Sequence, residues 1–366
     1  MENVETSRRY ELDYLRVIAT FGVVLLHTGA IVVIAWRHSN PGLISAFNVG
    51  NAADSLGRFA VNCFFMASGA LLLKPKRNFI LKTQFWKVAR PTITWIAVIA
   101  IANIVLAANE LRGLTGQLLN IANRPPTEII LGLLTGPAAY HLWFVYAILG
   151  IYLVVPLLRP IVELSEPRRQ RLIVWLLTLW LVSDLSFRFG AFFWGTDFPK
   201  IYAEPFAYMP AGYLGLFVLG FALSHYREQL QVPQWLWVLM AVVGLSWTFT
   251  ATWFAERRDA PDVWYAYDNL NLPVLLYSIG VFAWFATKER GPAPALPIVQ
   301  KLSELSFRIY LSHALVLHIL NVATPLGPLA REQPPVGLPV LFLVTCVITV
   351  AISWTLSLIK PIRRWI

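Results

Sequence analysis

Cysteine is nearly missing from this 366-residue chain, and the two present, Cys63 and Cys346, sit inside apolar runs. No disulfide framework and no thiolate metal site can be read from them. The six histidines, His27, His38, His141, His225, His313 and His318, show no HExxH or comparable spacing, so no metal site is expected. Charge is thin: 14% of residues are Asp, Glu, Lys or Arg against 57% hydrophobic, with a mean hydropathy of +0.59. That balance excludes a soluble domain built on one core. Internal repeats, low-complexity segments and alternating barrel-type strands are absent too.

What the chain has instead is a series of apolar stretches of about 20 residues, each long enough to cross a hydrocarbon slab of roughly 30 Å. In lipid every backbone polar group must be satisfied internally, so helices are expected. The fold class is all-α: a polytopic transmembrane helical bundle of about ten spans forming one membrane domain over 1–366. The spans are read at 12–36, 57–73, 88–108, 139–159, 170–190, 205–225, 235–255, 270–287, 299–321 and 338–359. Between them lie turn-forming segments at 74–78, 123–126, 165–171, 257–262, 289–297 and 331–337. The first apolar run is too long for a cleavable signal and lacks a small-residue cleavage site, so it is expected to stay as an anchor.

The net charge of +10 reads first as a topology signal. About two-thirds of the 30 Lys and Arg residues fall on one side when the even spans return the chain to the side of its N-terminus, which predicts both termini in the cytoplasm. The densest basic cluster, Lys74, Lys76, Arg77, Lys82, Lys87 and Arg90, suits anionic lipid headgroups or a phosphorylated ligand.

The first span, "YELDYLRVIATFGVVLLHTG" at 10–29, carries Asp13, Arg16 and His27. Arg16 and His27 are eleven residues apart, which returns them to within about 20° of the same helical face with Thr20 between, and sets His27 about 16 Å deeper. Arg16 has a plain reading as a snorkelling residue paired with Asp13 at i, i+3. Ionisable groups deep in a bilayer usually face a cavity or partner, which makes His27 the stronger functional candidate.

The Arg-x10-His pattern inside "LDYLRVIATFGVVLLH" resembles the signature of the acyltransferase-3 family, integral membrane enzymes that move acyl groups onto hydroxyls of envelope sugars and other acceptors. Further matches follow in order: "FFMASGALL" at 64–72, "HLWFVYAILGIYLVVPLL" at 141–158 and "SFRIYLSHALV" at 306–316. Where many members have Arg-x-x-Arg, this chain has Lys87-x-x-Arg90, which keeps the charge but loses a bidentate grip at Lys87.

The resemblance implies acyl-CoA, most simply acetyl-CoA, as donor, with Arg16, Lys87 and Arg90 binding its phosphates from the cytoplasm. It implies a glycan or lipid-linked glycan acceptor, a place among membrane lipids, and residence in the bacterial cytoplasmic (inner) membrane. With no appended hydrolase-like domain, the chain is similar to short stand-alone members, including those acting on enterobacterial common antigen and periplasmic glucans.

Transfer from a thioester to an alcohol needs a base for the hydroxyl proton, and His27 in its neutral form suits that role, with Arg16 as its catalytic partner. An acyl-histidine route stays open. The oxyanion needs donors, for which Asn62, Ser68, Trp143 and Tyr310 are candidates. Ser68, His141, Trp143, Tyr310 and His313 are the expected substrate-binding residues. Each has a structural alternative: Ser68-Gly69 as a close helix contact, and His141 with Trp143 as an interfacial aromatic anchor. His225 and His318 are read as structural. Arg308 would pair with Asp184 or Glu304. Asp54 and Arg58, read at the outer start of the second span, can pair at i, i+4 or meet a polar acceptor. Asp259, Asp262 and Asp268 are expected on a solvated face. The rival class is a transporter or flippase of a glycan or lipid-linked substrate, which would move its ligand without acyl-CoA.

Overall fold

The computed structural model describes residues 9–39, 44–75, 78–108, 139–194, 205–258, 266–288, 296–359 and 365. The expected turns at 123–126, most of 289–297, and Lys76, Arg77, Asp259 and Asp262 lie outside these residues. The helices are α1 (Tyr10–Ser39), α2 (Ile44–Gly57), α3 (Phe59–Leu72), α4 (Leu81–Ala108), α5 (Trp143–Val162), α6 (Glu166–Trp194), α7 (Pro205–His225), α8 (Gln234–Arg257), α9 (Leu272–Ala286), α10 (Leu296–Ala323), α11 (Leu326–Glu332) and α12 (Pro334–Leu358). A 3₁₀ turn, Tyr140–Leu142, leads into α5. No strand occurs among the described residues.

All ten expected segments fall on helices. Among the described residues seven stretches are long and apolar enough to cross a membrane: Tyr10–Ala35, Ala46–Leu72, Leu81–Ala102, Tyr140–Val162, Gln234–Arg257, Leu296–Ala323 and Pro334–Leu358. Gly212–His225 and Leu272–Ala286 are shorter apolar helices. The second span differs from expectation. Arg58 keeps right-handed helical dihedrals between α2 and α3, so the helix reaches back to Ala46, and Asp54 and Arg58 lie mid-helix instead of at an outer end.

Helix α1 is the centre of the bundle, packed against α2, α3, α9, α10 and α12. Helix α6 touches α5 and α7 and turns Trp175 (70% exposed) and Leu179 (67%) outward, as a lipid-facing helix does. Lipid is as apolar as leucine, so helices here gain from close van der Waals approach. The crossing of α3 and α7 shows how. Gly69 lies against the backbone of Phe217, and Gly220 against the backbone of Met66, so a Cβ at either would collide with main chain.

Helix ends gather at a common face. Arg9, before α1, bonds Glu11 (2.5 Å), Ser224 in the last turn of α7 and the Ala286 carbonyl ending α9 (3.0 Å). Arg159 near the end of α5 donates to Lys74 O beyond α3 (3.0 Å), and Gln234 opening α8 donates to Thr287 after α9 (3.0 Å). The starts of α1 and α8 therefore lie with the ends of α3, α5, α7 and α9, and basic Arg9, Lys74, Arg159 and Arg227 collect there.

Candidate active site

Helices α1 and α10 run parallel, and three polar contacts record it. Ser303 Oγ donates to Asp13 Oδ1 (2.7 Å), Arg16 Nη2 donates to Ser306 Oγ (3.0 Å), and His27 stacks on His313 with centroids 5.2 Å apart and planes 22° off parallel. Partner numbers rise together along both helices. The stripe expected on α1 thus exists as an α1–α10 seam, while Thr20 donates its hydroxyl to the Arg16 carbonyl of its own helix (2.7 Å). His27 and His313 each lie seventeen residues past the start of their helices. At 1.5 Å per residue that is about 25 Å from the basic face.

A third imidazole completes the cluster. His141, in the 3₁₀ turn before α5, meets His313 edge-on at 5.4 Å. Tyr140 presents its ring edge to His27 at 5.0 Å. His141 is 1% exposed, so it is a buried member of the cluster and not an interfacial anchor. Its main chain is held by Tyr310, whose hydroxyl donates to the His141 carbonyl. The His313 Nδ1 lies 2.5 Å from the Tyr310 carbonyl; that bond needs a proton on Nδ1, which leaves the lone pair on Nε2. Of the three rings only His27 is incompletely buried; His141 is 1% exposed and His313 is fully buried. A base must touch its substrate, so the exposure singles out His27.

The other expected residues divide. Phe144 packs on Tyr310 (5.4 Å) and Phe65 (4.8 Å), Phe65 on Tyr213 (4.5 Å), and Tyr213 on Trp143 (5.2 Å), so an aromatic ladder ties Trp143 to the histidines. Ser68 is half-buried beside the packing glycine Gly69, and among the described residues no hydrogen bond links it to the histidines. Lys87 and Arg90 are exposed in the first turns of α4; Arg90 lies 5.5 Å from the Trp86 ring and 5.8 Å from that of Trp365. They stand apart from the histidines, on the helix that follows the basic end of α3.

Two oxyanion candidates are already committed: Asn62 Nδ2 donates to Asn269 O (2.7 Å) and Ser278 Oγ (3.0 Å), and Tyr310 donates to His141. Asp268 is half-buried and accepts the Leu270 N–H (2.8 Å), holding a turn where a solvated carboxylate was expected. His225 stacks on Phe221 (5.0 Å) and faces Glu166, as a structural histidine would. Tyr140 was missed by sequence reasoning, although its place beside His141 could have signalled it.

The fold and this cluster define a multi-pass helical membrane protein with an imidazole-lined centre. Its family follows from comparison: the acyltransferase domain of the acyltransferase-3 type matches residues 9–358, nearly the whole chain, and the protein belongs to that family. It is a membrane acyltransferase. No curated protein and no solved structure matches the chain.

Proposed function

We propose that this acyltransferase is an O-acetyltransferase that takes its acyl group from cytoplasmic acetyl-CoA and passes it to a hydroxyl of an envelope polysaccharide or lipid-linked glycan precursor, in the bacterial cytoplasmic membrane with both termini inside. The observation that carries the reading is the meeting of His27, His141 and His313 at depth, on a seam that begins with Arg16 at the basic face. By the positive-inside rule that face is cytoplasmic, where a CoA phosphate would meet Arg16, Lys87 and Arg90. The thioester arm then follows the α1–α10 seam to His27.

In this reading His27 takes the proton from the acceptor hydroxyl as its oxygen attacks the thioester carbonyl. The tetrahedral oxyanion collapses, the C–S bond breaks, and the leaving thiolate takes the proton back from His27, giving an ester and free CoA. His313 and His141 hold the His27 ring in place. Ser68, Trp143 and Tyr310 complete the acceptor-binding wall. The test is free-CoA release from acetyl-CoA by the purified protein in lipid with envelope-glycan extracts. Acceptor-dependent release that disappears in His27→Ala supports the reading; no release with any extract or acyl donor overturns it.

A further inference from the structure

The middle of the helix Ala46–Leu72 holds an ion pair that the reaction scheme leaves unused. Arg58 donates through Nε to Asp54 Oδ1 (2.6 Å), its Nη2 lies 2.6 Å from the same oxygen, and its Nη1 donates to the Tyr267 carbonyl (3.1 Å). The guanidinium carbon sits 4.2 Å from the Tyr267 ring centroid. The Tyr267 hydroxyl in turn donates to Asn51 Oδ1 (2.6 Å), where Ser55 also donates (3.0 Å). Asp54 is fully buried, and the Arg58 side chain keeps 13% exposure. A guanidinium has five N–H groups. Three are engaged here, so one on Nη1 and one on Nη2 are left to meet a ligand.

The pair lies where α2 packs against the turns of α1 that carry His27. Gly29 of α1 abuts the Asp54 backbone nitrogen, and Gly57 of α2 abuts Leu26 and the Gly22 carbonyl, so the two helices touch main chain to main chain on both sides of His27. A cation at the centre of a membrane span is costly, and such residues mark functional pathways. Asp54 offsets that cost while leaving part of the guanidinium uncommitted. Meanwhile the side-chain donors of Asn62 and Tyr310 are spoken for.

We infer that Arg58 is the fixed cation that stabilises the thioester oxyanion during transfer at His27, with Asp54 and Tyr267 as its positioning residues. This rests on the proposed reaction. Negative charge develops on the carbonyl oxygen as the acceptor oxygen bonds to the carbonyl carbon, and a pre-oriented guanidinium in a dry site stabilises it without reorganisation.

The experiment measures kcat and KM for acetyl-CoA in the full-length protein reconstituted in lipid, for wild type, Arg58→Ala, Arg58→Ala with added guanidinium chloride, and the neutral double variant Asp54→Asn/Arg58→Gln. Thermal unfolding is followed in parallel. Expected are a kcat loss of about 10²- to 10³-fold in Arg58→Ala with KM little changed, partial rescue by guanidinium, and the same kcat loss in the double variant despite its restored neutrality and retained fold. Wild-type kcat in either variant would overturn the role of Arg58 and leave the acyl-transfer reading standing. Absence of turnover in the wild type would overturn both.

Discussion

His27 stacks on His313 across two parallel helices, and the stacking depends on the seam below it, where Ser303 holds Asp13 and Arg16 holds Ser306. A shift of one helix by a single residue would move a ring by about 1.5 Å and turn it by about 100°. The polar contacts near the basic face therefore set the register of the imidazoles about 25 Å from that face.

Replacing His27 by alanine should lower kcat for acceptor-dependent CoA release by about 10²- to 10⁴-fold, the range for a positioned general base. KM for acetyl-CoA should change little. Initial-rate kinetics in lipid check this, with thermal unfolding as the control for fold.

Arg16→Ala should act mainly on donor binding. Loss of a charge-assisted contact of about 1.5–3 kcal/mol corresponds to a rise of about 10- to 160-fold in KM for acetyl-CoA, with Arg16→Lys intermediate. A variant with unchanged KM across a salt titration would remove Arg16 from the donor path.

Tyr310→Phe removes the hydroxyl that holds the His141 carbonyl and leaves the ring stacking intact. The expected cost is about 1 kcal/mol of stability, seen as a modest fall in Tm, together with a lower kcat as the 3₁₀ turn loosens. Equal Tm and equal kcat would show that the bond does not position the cluster.

Gly69→Ala should destabilise the protein by about 2–3 kcal/mol without any direct effect on the histidines, because the new methyl meets the Phe217 backbone, which cannot move like a side-chain end. Thermal unfolding in detergent reads the loss. Residual activity per folded molecule should match the wild type.

Topology is open to labelling because both native cysteines are buried. Cysteines placed at exposed Lys82 and Gln333 should label from opposite sides with an impermeant maleimide in intact cells, Gln333→Cys from outside and Lys82→Cys only after permeabilisation. The reverse pattern would invert the proposed orientation.

The helices were legible because a membrane leaves little choice: a run of about 20 apolar residues must satisfy its own backbone, and that pattern needs no knowledge of neighbours. Arg16 and His27 were legible for a related reason, since charges in such a run are costly and two on one face suggest a path. Arg58 was misplaced because Asp54, Asn51 and Arg58 lower the local hydropathy and mimic a span end. Only their partners, Tyr267 and the Tyr267 carbonyl more than two hundred residues away, show that this polarity is buried within a continuous helix. Tyr140 was signalled only by its place beside His141, since its contact with His27 joins α1 to the turn before α5.

The sequence by itself determined an all-helical membrane chain, a sidedness of positive charge and a family signature, all consequences of composition and local spacing. The tertiary structure decided which ionisable residues meet. It gathered His27, His141 and His313 from α1, the turn before α5 and α10, committed Asn62 and Tyr310 to structural bonds, and set Asp54 and Arg58 beside the turn that bears His27. The physical reason is that helix contacts in lipid are chosen by close packing of small residues and by the pairing of polar groups across helices, and both are properties of distant segments brought together.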